Sequence, residues 1–171
     1  MRPLPGVGLE IGALAAWFAL WPLVPPGPPF AIYFLIAQLL STYLLHCPAH
    51  YVVGVSLGIR FRDISVTKST LARSLPVRLR FVARLFYVPT ISTVRSSVAS
   101  STPQRVSAMY ASGTAASVLS AFVLAAYVTL TGPLLTAGLA WAIALGYAAF
   151  DAVFSPRSGD LRRARSALKR V

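Results

Sequence analysis

Apolar runs near the length that crosses a bilayer, about 20 residues, occur four times in this chain of 171 residues. They fall near 7–24, 30–53, 108–131 and 133–151. With 56% hydrophobic and only 12% charged residues, and a mean hydropathy of +0.68, the chain does not read as a soluble globular domain. The expected fold is an all-α polytopic membrane protein, a single membrane domain over 1–171 with about four transmembrane helices and the lipid bilayer as its surroundings.

The net charge of +12 could point to nucleic acid, so its placement decides. Of the sixteen basic residues, Arg2 stands alone and the others fall in 60–105 and 157–170. The connections at Pro25–Pro29 and Thr131–Pro133 carry no charge. With four spans, every basic residue then lies on one side, which the positive-inside rule makes cytoplasmic. Both termini are expected there. The basicity is accounted for by topology and anionic lipid, and no nucleic-acid partner is expected. The first run, flanked only by Arg2 and without a small-residue cleavage site before Pro25, is expected to stay as an anchor. Trp17 and Trp21 suit the outer interface, and the proline-rich turn after them cannot continue a helix.

The second run carries polar residues every fourth position: Gln38, Thr42, His46 and His50, with Ser41 beside them. Such a stripe is expected to face other helices rather than lipid. His46 and His50 are the only histidines in the chain. Four residues apart, they share one helix face, the spacing by which a helix offers two nitrogens to one metal ion. Pro48, between them, is expected to kink the helix. Cys47 is the only cysteine, so no internal disulfide forms.

The segment 59–106 is expected to lie on the cytoplasmic side. Alternation of apolar and basic residues at Ile59–Arg62 and Val77–Phe81 predicts two short strands, and 71–88 also reads as a basic interfacial helix. Small residues every fourth position, Gly113, Ser117 and Ala121 in the third span and Gly138, Ala142 and Gly146 in the fourth, predict faces of close helix approach. The tail 157–171 predicts a short basic helix capped by Ser158 or Asp160.

With this topology the histidine pair sits toward the cytoplasmic end of its span. Glu10, Asp151 and Asp160, three of only four acidic residues, reach the same level, and Asp63 lies just beyond. Two histidines and one carboxylate leave a fourth position open, as in catalytic zinc sites. Zinc is therefore the cofactor to test for.

Three stretches, taken in order, resemble the site-2 proteases, which cleave peptide bonds within membranes. His46-Cys47-Pro48-Ala49-His50, running on through Val53 to Arg60, looks like the family's His-Glu-x-x-His helix entering its hairpin. Ala111–Ser117 is similar to the small-residue motif of Ala-Gly-Pro-x-x-Asn type, with Thr114 and Ser117 at the last two marker positions. Asp151–Asp160 looks like the later Asn…Pro…Asp-Gly segment. The resemblance covers roughly residues 30–165, and none of the three motifs is intact. It implies metal ligation by His46, His50 and Asp160, with Asp151 as the alternate third ligand because Gly159-Asp160 reverses the family's order.

It also implies that Cys47 stands where a glutamate would act as general base on metal-bound water. Glu10, from the first span, is the one candidate substitute. The leading expectation is thus a site-2-protease-like pseudo-protease that binds metal and client transmembrane segments without normal proteolysis. The alternatives are an active intramembrane zinc metalloprotease with a rearranged base, and a subunit of a transporter or other membrane complex.

Overall fold

A computed structural model describes residues 2–25, 27–68 and 87–169. Four of its helical stretches are long and apolar enough to cross a membrane: Pro3–Leu23, Pro28–Ser56, Pro103–Thr131 and Leu134–Arg157. Helices suit that setting because each bonds its own backbone groups where water is absent. The chain is a multi-pass membrane protein, mostly helical, with a two-stranded hairpin between its second and third spans.

The element starts are written in the sequence. Helix α1 (Pro3–Ala19) has proline in its first turn, where the missing N–H costs nothing. Gly27, at φ +98°, turns the chain into Pro28 and α2 (Pro28–Leu44). The second span is divided at Leu45 and continues as α3 (His46–Ser56). Leu45 stays helical, its N–H donating to the Ser41 carbonyl and its own carbonyl accepting from Ala49. The irregularity lies in the turn that Pro48 deprives of one bond, since proline has no N–H for the Leu44 carbonyl. Helix α3 ends in a glycine cap: Gly58 sits at φ +81°, and Ile59 N–H and Gly58 N–H donate to the carbonyls of Gly54 and Val55.

Strands β1 (Phe61–Lys68) and β2 (Tyr87–Thr93) pair antiparallel, Ile64 opposite Ile91 and Lys68 opposite Tyr87. The first expected strand is therefore present but begins later than Ile59. The second, at Val77–Phe81, lies outside the described residues, as does the interfacial helix 71–88 except for its last two residues. Those two belong to β2. A short α4 (Arg95–Ala99) leads to α5 (Pro103–Thr131), whose N-cap Thr102 accepts from Arg105 N–H. After Pro133 come α6 (Leu134–Ser158) and α7 (Asp160–Leu168).

Helix α5 is the central post, packed against α2, α3, α6 and α7. The main core joins Phe34 to Ala121, Ala125 and Val128 of α5 and to Ala137, Ala140 and Ala144 of α6. Gln38 fixes this contact by donating to the Ala121 and Ala140 carbonyls at 3.0 and 2.9 Å. The polar stripe therefore does face other helices: Gln38, Ser41, Thr42 and His50 are buried. Of the two small-residue faces, Gly113, Ser117 and Ala121 are buried as expected. Gly138, Ala142 and Gly146 are exposed, and a Cβ at either glycine would meet nothing within 4 Å. The neighbouring stripe Ala137–Ala140–Ala144 packs instead. Both faces of α6 are small, so steric access did not choose between them; Gln38 engages the side that carries the Ala140 carbonyl.

Candidate metal centre

His46 is the first residue of α3, with His50 one turn on, both directed at α5. Gly113 of α5 makes room for them: a Cβ there would lie 2.3 Å from His50 Nε2. Asp160 arrives from the other side. Pro156 in the last turn of α6 and the extended Gly159 end that helix, and the chain doubles back over Ser155, whose Oγ accepts from Leu161 N–H. Ala164 and Ala167 then bury α7 beside α5, near Ile59, Val106 and Met109. The N-cap of α7 is Gly159, so Asp160, expected as a cap, is instead the first residue of the helix; the side chain of Ser158, the other expected cap, lies outside the described residues. The Asp160 carboxylate is engaged with the histidines.

Asp160 Oδ2 lies 2.8 Å from His46 Nε2 and 3.1 Å from His50 Nε2, and the two nitrogens are 3.3 Å apart. The far side of each ring settles what these atoms carry. His50 Nδ1 is 2.7 Å from the Met109 carbonyl, which only accepts, so this nitrogen bears a proton. His46 Nδ1 is 3.1 Å from Ser117 Oγ, and that hydroxyl donates to the Thr42 carbonyl at 2.7 Å. Ser117 therefore accepts from His46. With both Nδ1 atoms protonated, neutral imidazoles aim two Nε2 lone pairs and a carboxylate oxygen at one point. Such a meeting of three acceptors is stable only around a proton or a cation. Protonating both rings would set two positive charges 3.3 Å apart, whereas one divalent ion satisfies all three atoms.

The triangle has the size for it. Metal bonds of about 2.0–2.2 Å in a tetrahedral zinc site put ligand atoms ~3.3 Å apart. The observed edges are 2.8, 3.1 and 3.3 Å. The outer bonds from Nδ1 to a carbonyl and a hydroxyl are the kind that fix tautomer and ring orientation in metal centres. Burial works against ionising Asp160. A proton held between the Nε2 atoms and this carboxylate, in place of an ion, outweighs that and holds its carboxyl well below the usual carboxylate range. His46, His50 and Asp160 form a cluster that could hold a metal ion.

No protein-family model matches this chain, and no curated protein or solved structure does.

The other expected residues are placed differently. Cys47 is buried and lines a cavity of about 500 Å³ beside the cluster, its thiol against the Ile91 backbone of β2. It is not one of the three converging residues. Asp151 stays on α6, hydrogen-bonded to Ser155, and is outside the cluster. Glu10 is buried on the face of α1 that also holds Gly6, Val7 and Leu14, and its Oε2 has no hydrogen-bond partner among the described residues. Neither the cluster nor the cavity wall includes it. Asp63 pairs with Arg62 on the hairpin at 2.8 Å, which holds its carboxyl below the ordinary range.

Three contributors escaped sequence reasoning. The Met109 carbonyl is a backbone atom and leaves no residue-type signal, although Met109 continues the four-residue row of Gly113 and Ser117. Tyr110 and Arg163 face each other near Asp160: Arg163 Nη1 is 3.6 Å from Asp160 Oδ1, and its guanidinium lies 5.8 Å from the Tyr110 ring centre. Arg163 had been counted only as part of a basic tail.

Proposed function

We propose that this protein is a membrane-embedded, site-2-protease-like pseudo-protease. It holds one zinc ion on His46, His50 and Asp160 and retains a client transmembrane segment without cleaving it. The observation that carries the reading is the convergence of His46 Nε2, His50 Nε2 and Asp160 Oδ2, each imidazole buttressed at its far nitrogen. Two nitrogens and one oxygen in this geometry suit zinc, with a fourth position open toward the cavity. In this reading the cluster lies at the cytoplasmic end of the spans, with both termini on that side.

Zinc in such a site polarises a bound carbonyl or water. The remaining work of hydrolysis is moving a proton, and that falls to a positioned base. Cys47 follows His46 at the position where a hydrolase of this design carries a carboxylate, and its thiol is turned to β2. Loss of general-base help costs about 10²–10⁴-fold in rate. The cavity between the second span and β2 then serves to hold a segment beside the ion. The proposal is tested by metal analysis of purified wild type beside His46→Ala and His50→Ala. One zinc per chain in wild type and loss in both variants is expected; equal content in all three sinks the metal centre. Cys47→Glu, assayed on a membrane-protease substrate, is expected to gain cleavage that wild type lacks. Cleavage by wild type would overturn the non-proteolytic part.

A further inference from the structure

We propose that the open position at this centre takes the carboxylate of an apolar-chain ligand, with Arg163 as its second anchor. The inference rests on the zinc reading above and adds the chemical class of what binds there.

Charge selects the ligand. Among the described residues, the cavity wall contains a single carboxylate, Asp160, against two full cations, Arg163 and Lys68. Glu10, Asp63 and Asp151 are all off that wall. Adding a divalent ion makes the surplus larger. Positive charge in a partly enclosed, mostly apolar space calls for an anion that brings its own apolar body. Leu39, Val88, Pro89, Ile91 and Met109 supply the apolar wall. The volume of about 500 Å³ lies in the range, roughly 300–1,000 Å³, of sites that bury most of a small ligand.

Arg163 points to a carboxylate rather than a larger anion. A guanidinium has five N–H donors in a planar fork that matches two carboxylate oxygens. Among the described residues its ion pair is to Asp160 Oδ1, long at 3.6 Å, and the guanidinium carbon lies 5.8 Å from the Tyr110 ring centre. A ligand carboxylate can thus place one oxygen toward the ion and the other on Arg163. Cys47 at the base position removes the group that would otherwise activate water there, which suits a site that keeps its ligand. The same chemistry comes from two sources, a free fatty acid or the C-terminal carboxylate of an apolar peptide.

The test uses the full chain in non-ionic detergent, zinc content measured in every sample, and titration with oleate, oleyl alcohol, an apolar peptide ending in a free carboxylate, and its amide. At least one carboxylate should bind about tenfold or more tightly than its uncharged counterpart; whichever does names the source. Arg163→Gln, compared with wild type at equal zinc occupancy, should weaken that binding about tenfold. Arg163→Lys, which keeps the charge but not the fork, should weaken it too. Wild type that holds zinc yet binds oleate no better than oleyl alcohol, and free peptide no better than amide, overturns this proposal alone. Wild type without zinc overturns the metal centre and this ligand with it.

Discussion

Gly113→Ala separates the metal centre from the fold around it. The added Cβ would lie 2.3, 2.5 and 2.8 Å from His50 Nε2, Cε1 and Cδ2. Ordinary contact is about 3.5 Å or more, so the ring must withdraw by about 1 Å. A ligand constellation tolerates displacement of ~0.5 Å, and the same shift breaks the Nδ1 bond to Met109. Zinc affinity should therefore fall by at least the roughly 10–100-fold that follows loss of an outer partner. Alanine's helix preference of up to ~1 kcal/mol is outweighed by the overpacking, about 1–3 kcal/mol, so stability without zinc should fall modestly. Metal content by mass spectrometry and thermal unfolding in detergent, each with and without zinc, should show the larger loss in the zinc-dependent part. Gly138→Ala, where a Cβ meets nothing within 4 Å, is the control and should leave zinc unchanged. If Gly113→Ala binds zinc as wild type does, His50 is not placed as described and the centre built on it fails.

Four further outcomes are expected. Ser117→Ala removes both the acceptor for His46 Nδ1 and the donor to Thr42, and should lower zinc affinity about 10–100-fold in a competition titration with a chelator. Cys47→Ala should retain full zinc, and a clear drop would place the thiol among the ligands. Gln38→Leu deletes two interhelical bonds and should lower stability by about 1–2 kcal/mol in a detergent unfolding assay with zinc binding intact; no change would show those bonds to be idle. The Asp160 carboxyl is held below its unfolded value of about 3.9, so its contribution to stability is present above that pH and disappears as pH falls toward the folded value. Chelated protein should therefore lose thermal stability below about pH 4, and Asp160→Asn should flatten that decline.

Much of this arrangement was legible because the chain is poor in the relevant residues. With two histidines and four acids in 171 residues, spacing and depth left few ways to assemble a centre. Asp160 could be proposed before its contacts were known. Helix ends were read less well: apolar runs report the part inside hydrocarbon, whereas α5 begins at Pro103, five residues before its apolar run. The packing face of α6 was misread because Gly138, Ala142 and Gly146 and the stripe Ala137, Ala140 and Ala144 are equally small. The stripe that packs is the one whose Ala140 carbonyl accepts from Gln38, a residue of another helix. Gly113 was read as a packing glycine, and its distinct role exists only because an imidazole lies over it.

The doubling back at Gly159 has a consequence for how the chain is held together. Asp160 meets histidines that are 110 and 114 positions away in the sequence. An ion bound there would join the second span to the segment beyond the fourth, closing a loop of more than a hundred residues. Cross-links of that reach restrict an unfolded chain by as much as ~4.7 kcal/mol. With Cys47 as its only cysteine, this chain has no disulfide with which to make such a link. Zinc at His46, His50 and Asp160 would serve as a long-range clasp, so that chelation should loosen α7 before it disturbs any other described helix.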